Sequence, residues 1–174
     1  MKAVLYSINR PHTDNIKSGL KLWEIRKSKP NIPVPFTAFT YETKKKGGCG
    51  KVIGEFICDR IEMVNAQCSD YGIDLFYHDC ATEGCLIENE VNRYFNIPED
   101  KDLRVMKGNG YALHISNLKI YDKPKELIEF FKPCPNSNED YRCLSCDCLA
   151  DSDYGGYCTN YLTRPPQSWC YVEI

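Results

Sequence analysis

"GLKLWEIRKSKP" (Gly19–Pro30) threads ionisable side chains through an apolar run. Leu22, Trp23 and Ile25 ask for burial in a strand, while Lys21, Glu24 and Arg26 among them carry charge. Burying a charge is costly unless it is paired or engages a ligand. On strand periodicity Leu20, Leu22, Glu24, Arg26 and Ser28 share one face, and Lys21, Trp23, Ile25 and Lys27 the other. Glu24 and Arg26 are then same-face neighbours, close enough to pair. Lys21 falls on the opposite face unless it lies in the turn before the strand or a bulge re-aims it. Gly19, just upstream, makes a turn placement credible. The stretch reads as a turn plus a strand, with Trp23 and Ile25 anchoring the core and Glu24 with Arg26 together on the other face.

The flanking sequence supplies more strands than helices. "KAVLYSI" (Lys2–Ile8) alternates apolar residues in strand fashion. Pro11 opens a short helix that ends at Gly19, a C-cap. "SKPNIPVP" holds three prolines and cannot join a ladder centrally. "FTAFTYE" (Phe36–Glu42) is a strand by its Phe, Thr and Tyr content. "TKKKGGCG" is a turn, and "KVIGEFICDRIEMV" resumes strand character, with Gly54 a bulge or close-approach point. Residues 65–85 are polar and ambiguous. "LIENEVNRYF" (Leu86–Phe95) places Leu86, Val91, Tyr94 and Phe95 near one helical face. "YALHISNLKIYDKP" reads as one strong strand, Pro124 starts a short helix "KELIEFF", and "SWCYVEI" closes the chain as a last strand. The pattern is α+β and mostly β. Short strands with exposed edges are stabilised by closure, so a small, closed or half-closed mixed barrel with flanking short helices is expected. Residues 1–174 are read as a single domain with a cysteine-rich insertion at 133–160.

Charge is unevenly spread. Residues 1–60 hold 12 basic and 5 acidic side chains, a net of +7, and residues 61–174 hold 10 and 19, a net of −9. A basic N-terminal part points to a face that attracts anions, against the plainer reading of chance clustering on a solvated surface. The apolar run after Lys2 is too short for a signal-peptide core, and nothing approaches the ~20 apolar residues of a membrane span. A cytoplasmic protein without a membrane partner is expected.

Eleven cysteines are many for this length. Without a secretory signal, free thiols and metal ligands are favoured over a disulfide framework. Cys143 and Cys146 form a CxxC, whose spacing lets two thiolates reach one tetrahedral ion. Cys134 and Cys158 flank it and complete a candidate structural zinc set, with Cys148 spare or replacing Cys146. The loop has few aliphatic residues to bury, so metal binding would supply its folding free energy. A reduced, partly disordered loop and a disulfide are the competing readings. His78, Cys80 and Cys85 form a looser grouping, and His114, alternating within a strand, reads as structural.

The segments "YSINRPHTDNIKSGLKLWEIRKSKP", "FTAFTYET", "KVIGEF" and "PPQSWCYVEI", in this order, resemble the ASCH domain of the PUA-like superfamily. Gly19, Lys21, Glu24 and Arg26 sit where that family carries its G-x-K-x-x-E-x-R signature. Ser7, Ile8 and Pro11 match its opening and Tyr41 its next strand. The likeness covers roughly residues 1–60 and 108–174, and departs in 65–105 and in the cysteine insertion. It implies a small β-barrel with a cleft beside the first helix, and a role in binding RNA or modified nucleosides. Some members are hydrolases. In the small amidohydrolases the signature lysine activates a threonine hydroxyl three residues later. Lys21 matches that lysine, but Glu24 stands at the threonine position, and a carboxylate cannot serve as that hydroxyl nucleophile.

The expected function is therefore a nucleic-acid or modified-nucleotide binding module, RNA-related, with Lys21, Glu24, Arg26, Tyr41 and Ser168 as ligand-binding residues. Lys21 and Arg26 suit phosphate or a base edge, and Glu24 accepts from an exocyclic amine. Trp23, Tyr41 and Tyr6 are candidate stacking surfaces, although Trp23, among apolar neighbours, reads more readily as core. Lys44, Lys45 and Lys46 suit phosphate contact or a solvated hairpin tip equally. The first alternative is a hydrolase acting on nucleosides or RNA, with Lys21 and Glu24 catalytic. The second is a protein-interaction domain in which Glu24–Arg26 is a structural ion pair.

Overall fold

Strand β1 (Lys2–Ile8) is buried from Ala3 onward, because neighbours cover both its edges. The chain is described here from a computed structural model over residues 2–69, 72–77, 107–133 and 161–173, with the backbone alone at 65–69, 72–77 and 107–109. Helix α1 (Arg10–Lys17) follows β1, with Pro11 in its first turn, where a missing N–H costs nothing. The remaining strands are β2 (Trp23–Arg26), β3 (Phe36–Glu42), β4 (Lys51–Cys58), β5 (Ile61–Ser69), β6 (Gly72–Tyr77), β7 (Lys107–His114), β8 (Ser116–Lys125) and β9 (Trp169–Glu173).

These strands form two sheets, one ordered β8-β4-β3-β1-β9 and the other β2-β7-β5-β6. The first is mixed: β1 runs parallel to β3 and antiparallel to β9. In the second, β7 pairs antiparallel with both β2 and β5, and β5 with β6. The fold is mostly β, as expected. Among the described residues the sheets have open orders, so the closed form of the expected barrel is not what is observed.

The chain packs as two compact units. One takes the described parts of Met1–Arg10, Thr37–Glu55 and Lys119–Ile174. Its core gathers Ala3, Leu5, Phe39, Tyr41, Val52, Leu127, Phe130, Leu162 and Val172. Phe39 and Phe130 meet edge-on, with ring centroids 4.9 Å apart. The segment before β9 is tied to β1: the Ser7 N–H donates to the Ser168 carbonyl at 2.9 Å, and its hydroxyl to the Pro166 carbonyl at 2.7 Å. The other unit takes Pro11–Phe36 and the described parts of Phe56–Leu118. It holds α1 beyond Arg10, β2 and the four-stranded sheet.

Two long strand readings break in the structure. "KVIGEFICDRIEMV" divides at Asp59–Arg60, where the chain leaves the five-stranded sheet for the four-stranded one. "YALHISNLKIYDKP" divides at Ile115 and returns. The breaks are locked together: the His114 N–H donates to the Arg60 carbonyl, and the Ile115 N–H to the Leu22 carbonyl. Asn117 then takes a positive φ of 48°, a conformation asparagine tolerates. The helix expected from Pro124 is replaced by an extension of β8 through Lys125 and a single 3-10 turn, Leu127–Glu129. Pro124 is accommodated because β8 is an edge strand. Gly54 is the close-approach point: a Cβ there would lie 2.5 Å from the Lys119 carbonyl oxygen of neighbouring β8. The helix expected at Leu86–Phe95 and the cysteine-rich insertion lie outside the described residues.

Candidate functional site

Helix α1 ends in a Schellman turn. The Gly19 N–H donates to the Ile16 carbonyl and the Leu20 N–H to the Asn15 carbonyl, with Gly19 at φ +74°. The Lys21 N–H also donates to the Asn15 carbonyl, at 3.0 Å. Lys21 is thus held in the turn and β2 begins only at Trp23, which frees Lys21 from strand alternation. Its ammonium lies 3.7 Å from Glu24 Oε2, while Arg26 Nη2 lies 3.1 Å from Glu24 Oε1. One carboxylate therefore sits between two cations. All three residues are buried, at 5%, 6% and 8% exposure for Lys21, Glu24 and Arg26. The cluster carries a formal net charge of +1 away from bulk water, where charge is felt most strongly.

The opposite face of β2 is packed. Trp23 is fully buried, with the His114 ring 4.7 Å away and the Arg60 guanidinium 4.8 Å from its ring centre. The His114 ring Nδ1 lies 2.7 Å from Asp59 Oδ1. Burial pushes the Asp59 carboxyl up, but the bond and charge of His114, with a bond from Ser116, outweigh it and hold the group below its ordinary range. Trp23 is thus a core residue and His114 a structural one. Tyr6 is also fully buried, so neither it nor Trp23 offers an open ring to a base.

Tyr41 and Ser168 belong to the five-stranded unit. Tyr41 packs in that unit's core, and its hydroxyl is held above its ordinary pKa, chiefly by burial and then by Cys49 and Glu126. Ser168 is half-buried, its carbonyl engaged by Ser7. In the same unit Lys44, Lys45 and Lys46 are exposed on a tight turn, whose Gly47 carbonyl accepts from Arg10 Nη1 at 3.0 Å. Cys134, Cys143, Cys146 and Cys158 lie outside the described residues, as do His78, Cys80 and Cys85. Among the described residues no cluster of His, Cys, Asp or Glu could hold a metal. Nor is any described helix long and apolar enough to cross a membrane.

The sequence reading missed the residues that continue the Arg26 face across the sheet. Arg26 stands opposite Tyr111 on β7, and Tyr111 opposite Met63 on β5. Alternation in "YALHISN" puts Tyr111 on the Leu113 face, but the register that aligns it with Arg26 is a long-range property.

No protein-family model matches the chain, and no curated protein matches it in sequence. Solved structures do. The crystal structure of ASCH from Zymomonas mobilis is matched at 18% identity and a TM-score of 0.50, over 72% of this chain and 73% of that one. A serine-to-alanine variant of the same protein is matched at 16% identity and a TM-score of 0.54, over 98% of this chain and 88% of that one. At such identities the likeness speaks for architecture, and the architecture is that of the ASCH-domain structures.

Proposed function

We propose that this chain is a nucleic-acid or modified-nucleotide binding module, with single-stranded RNA as ligand class and Lys21, Glu24 and Arg26 as its polar contacts. The observation that carries the reading is that a buried lysine and a buried arginine meet on one buried carboxylate. A purely structural ion pair needs one cation for Glu24, whereas two approach it within 3.7 Å. A phosphate or an electron-rich base edge would suit such a pair of cations, with Arg26 offering a planar fork and Lys21 a point charge. The resemblance to ASCH domains supports the same ligand class.

Fluorescence anisotropy with mixed-sequence single-stranded RNA tests this. The expected result is binding that weakens with salt and falls at least tenfold in Arg26→Ala, a loss of about 1.4 kcal/mol. Unchanged affinity in Arg26→Ala and Lys21→Ala, at matched folding, would hand the cluster to the structural reading and a protein-interaction role.

The Lys21–Glu24 proximity also gives a hydrolase reading a specific basis, since an adjacent acid and base can pass a proton. In it Lys21 is base or electrostatic stabiliser and Glu24 its carboxylate partner. It requires turnover of acylated nucleosides or RNA, followed by mass spectrometry and abolished in Lys21→Ala. Separately, we propose structural zinc on Cys134, Cys143, Cys146 and Cys158. Less than about half an equivalent in protein purified reduced and without chelator overturns it.

A further inference from the structure

The four-stranded unit extends the charged cluster into a row that ends at the surface. Residues directly opposite one another in an antiparallel ladder project on the same side of the sheet. Arg26 on β2, Tyr111 on β7 and Met63 on β5 are aligned in this way. Exposure rises along the row, from 8% at Arg26, through a partly buried Tyr111, to 58% at Met63. Lys29, itself exposed, holds its ammonium over the Tyr111 ring, 5.5 Å from the centroid. The ring is therefore only partly buried and is approached by the cation of an exposed side chain. With strands spaced about 4.8 Å apart, the row spans roughly 10 Å, well beyond the ~3.4 Å rise between stacked bases.

We propose that Tyr111, bordered by Met63 and Lys29, is a stacking ledge for a second unpaired base of a single-stranded RNA whose first nucleotide engages the Lys21–Glu24–Arg26 cluster. This rests on the nucleic-acid reading of that cluster. Aromatic rings stack on any base, and a polarisable thioether beside the ring widens the surface. When a base covers the ring, Lys29 swings aside to meet the phosphate joining the two nucleotides. The neighbouring row, Glu24–Leu113–Ile61, holds aliphatic side chains beyond the carboxylate and offers no aromatic ring. Of these two rows, the one over Tyr111 combines a ring with positive charge.

Calorimetric titration with the four 5′-nucleotides in equimolar mixture, and with mixed-sequence 5′-phosphorylated dinucleotides, tests the ledge. The dinucleotides should bind at least about tenfold more tightly than the mononucleotides. Tyr111→Leu should erase that gain and leave mononucleotide affinity unchanged, whereas Tyr111→Phe should keep it. Met63→Glu, a change at an exposed position that tests the ledge even where Tyr111→Leu fails to fold, should weaken dinucleotide binding alone. Equal affinity for both probes, or a gain that survives Tyr111→Leu and Met63→Glu, overturns the ledge and leaves the cluster reading standing. Binding of neither probe by the unaltered protein overturns both.

Discussion

Replacing Glu24 by glutamine keeps the shape of the buried cluster and removes the charge at its centre. With an effective dielectric of about 20, unit charges at the observed 3.7 and 3.1 Å attract by about 4 and 5 kcal/mol. Desolvating the ions costs several kcal/mol each, so the intact triad contributes little net stability. Glu24→Gln loses both attractions while Lys21 and Arg26 stay buried. Breaking a buried pair in this way costs about 3–5 kcal/mol. Lys21→Met does the reverse: it removes a buried cation, retains the Glu24–Arg26 pair, and should change stability by no more than about 1 kcal/mol. Urea unfolding followed by tryptophan fluorescence reads the difference, since Trp23 is fully buried on β2. At a slope near 2 kcal/mol/M, the Glu24→Gln midpoint should fall by about 1.5–2.5 M and the Lys21→Met midpoint by less than about 0.5 M. In the same Lys21→Met protein, RNA affinity should drop although the fold is intact. Equal midpoint shifts in the two variants, or a Glu24→Gln shift below about 0.5 M, would refute the view that one carboxylate is shared by two buried cations.

Other consequences are as direct. Gly19→Ala forces a Cβ into the left-handed region at open space, so strain alone should lower stability by about 1–2 kcal/mol, read by thermal unfolding. The Tyr121 hydroxyl donates to Glu55 Oε2 at 2.6 Å and holds that carboxyl below its ordinary range, against the opposing effect of burial. A depressed carboxyl pKa stabilises above its unfolded value and loses that contribution as pH falls through the folded one. Tyr121→Phe should therefore cost about 1–2 kcal/mol at neutral pH and progressively less in acid, measured by urea titration across pH. If Lys44, Lys45 and Lys46 touch phosphates, their joint replacement by alanine should lower the slope of log affinity against log salt by about 2; an unchanged slope makes them a solvated tip.

The sequence announced the elements whose signals are local. Strand β1 and β3 show β-rich runs with clear ends, and α1 is bracketed by Pro11 and Gly19, so each was legible. The turn placement of Lys21 was also legible, because only a departure from period two brings Lys21 and Glu24 together. What stayed hidden depends on pairing. "KVIGEFICDRIEMV" and "YALHISNLKIYDKP" look continuous because their breaks lie at Asp59–Arg60 and Ile115, where backbone bonds between distant segments redirect the chain. "KELIEFF" has helical spacing, but β8 continues through Pro124 and leaves room for one turn. Tyr111 could not be attached to the charged cluster without the register of β7 on β2.

The Schellman turn has a consequence for what this segment can tolerate in length. The Asn15 carbonyl fixes the backbone of both Leu20 and Lys21, and the Ile115 N–H fixes the carbonyl of Leu22. Between those anchors and β2 there is no slack to absorb an added or lost residue. A one-residue insertion after Leu22 would rotate every side chain of β2 to the other side of the sheet. Glu24 and Arg26 would be driven against His114 and Arg60, and Trp23 into the charged cluster. Substitutions in this stretch should thus be graded in effect, while length changes should be all-or-none. The cap on a short helix acts as the phase reference that keeps charge and core on opposite sides of one strand.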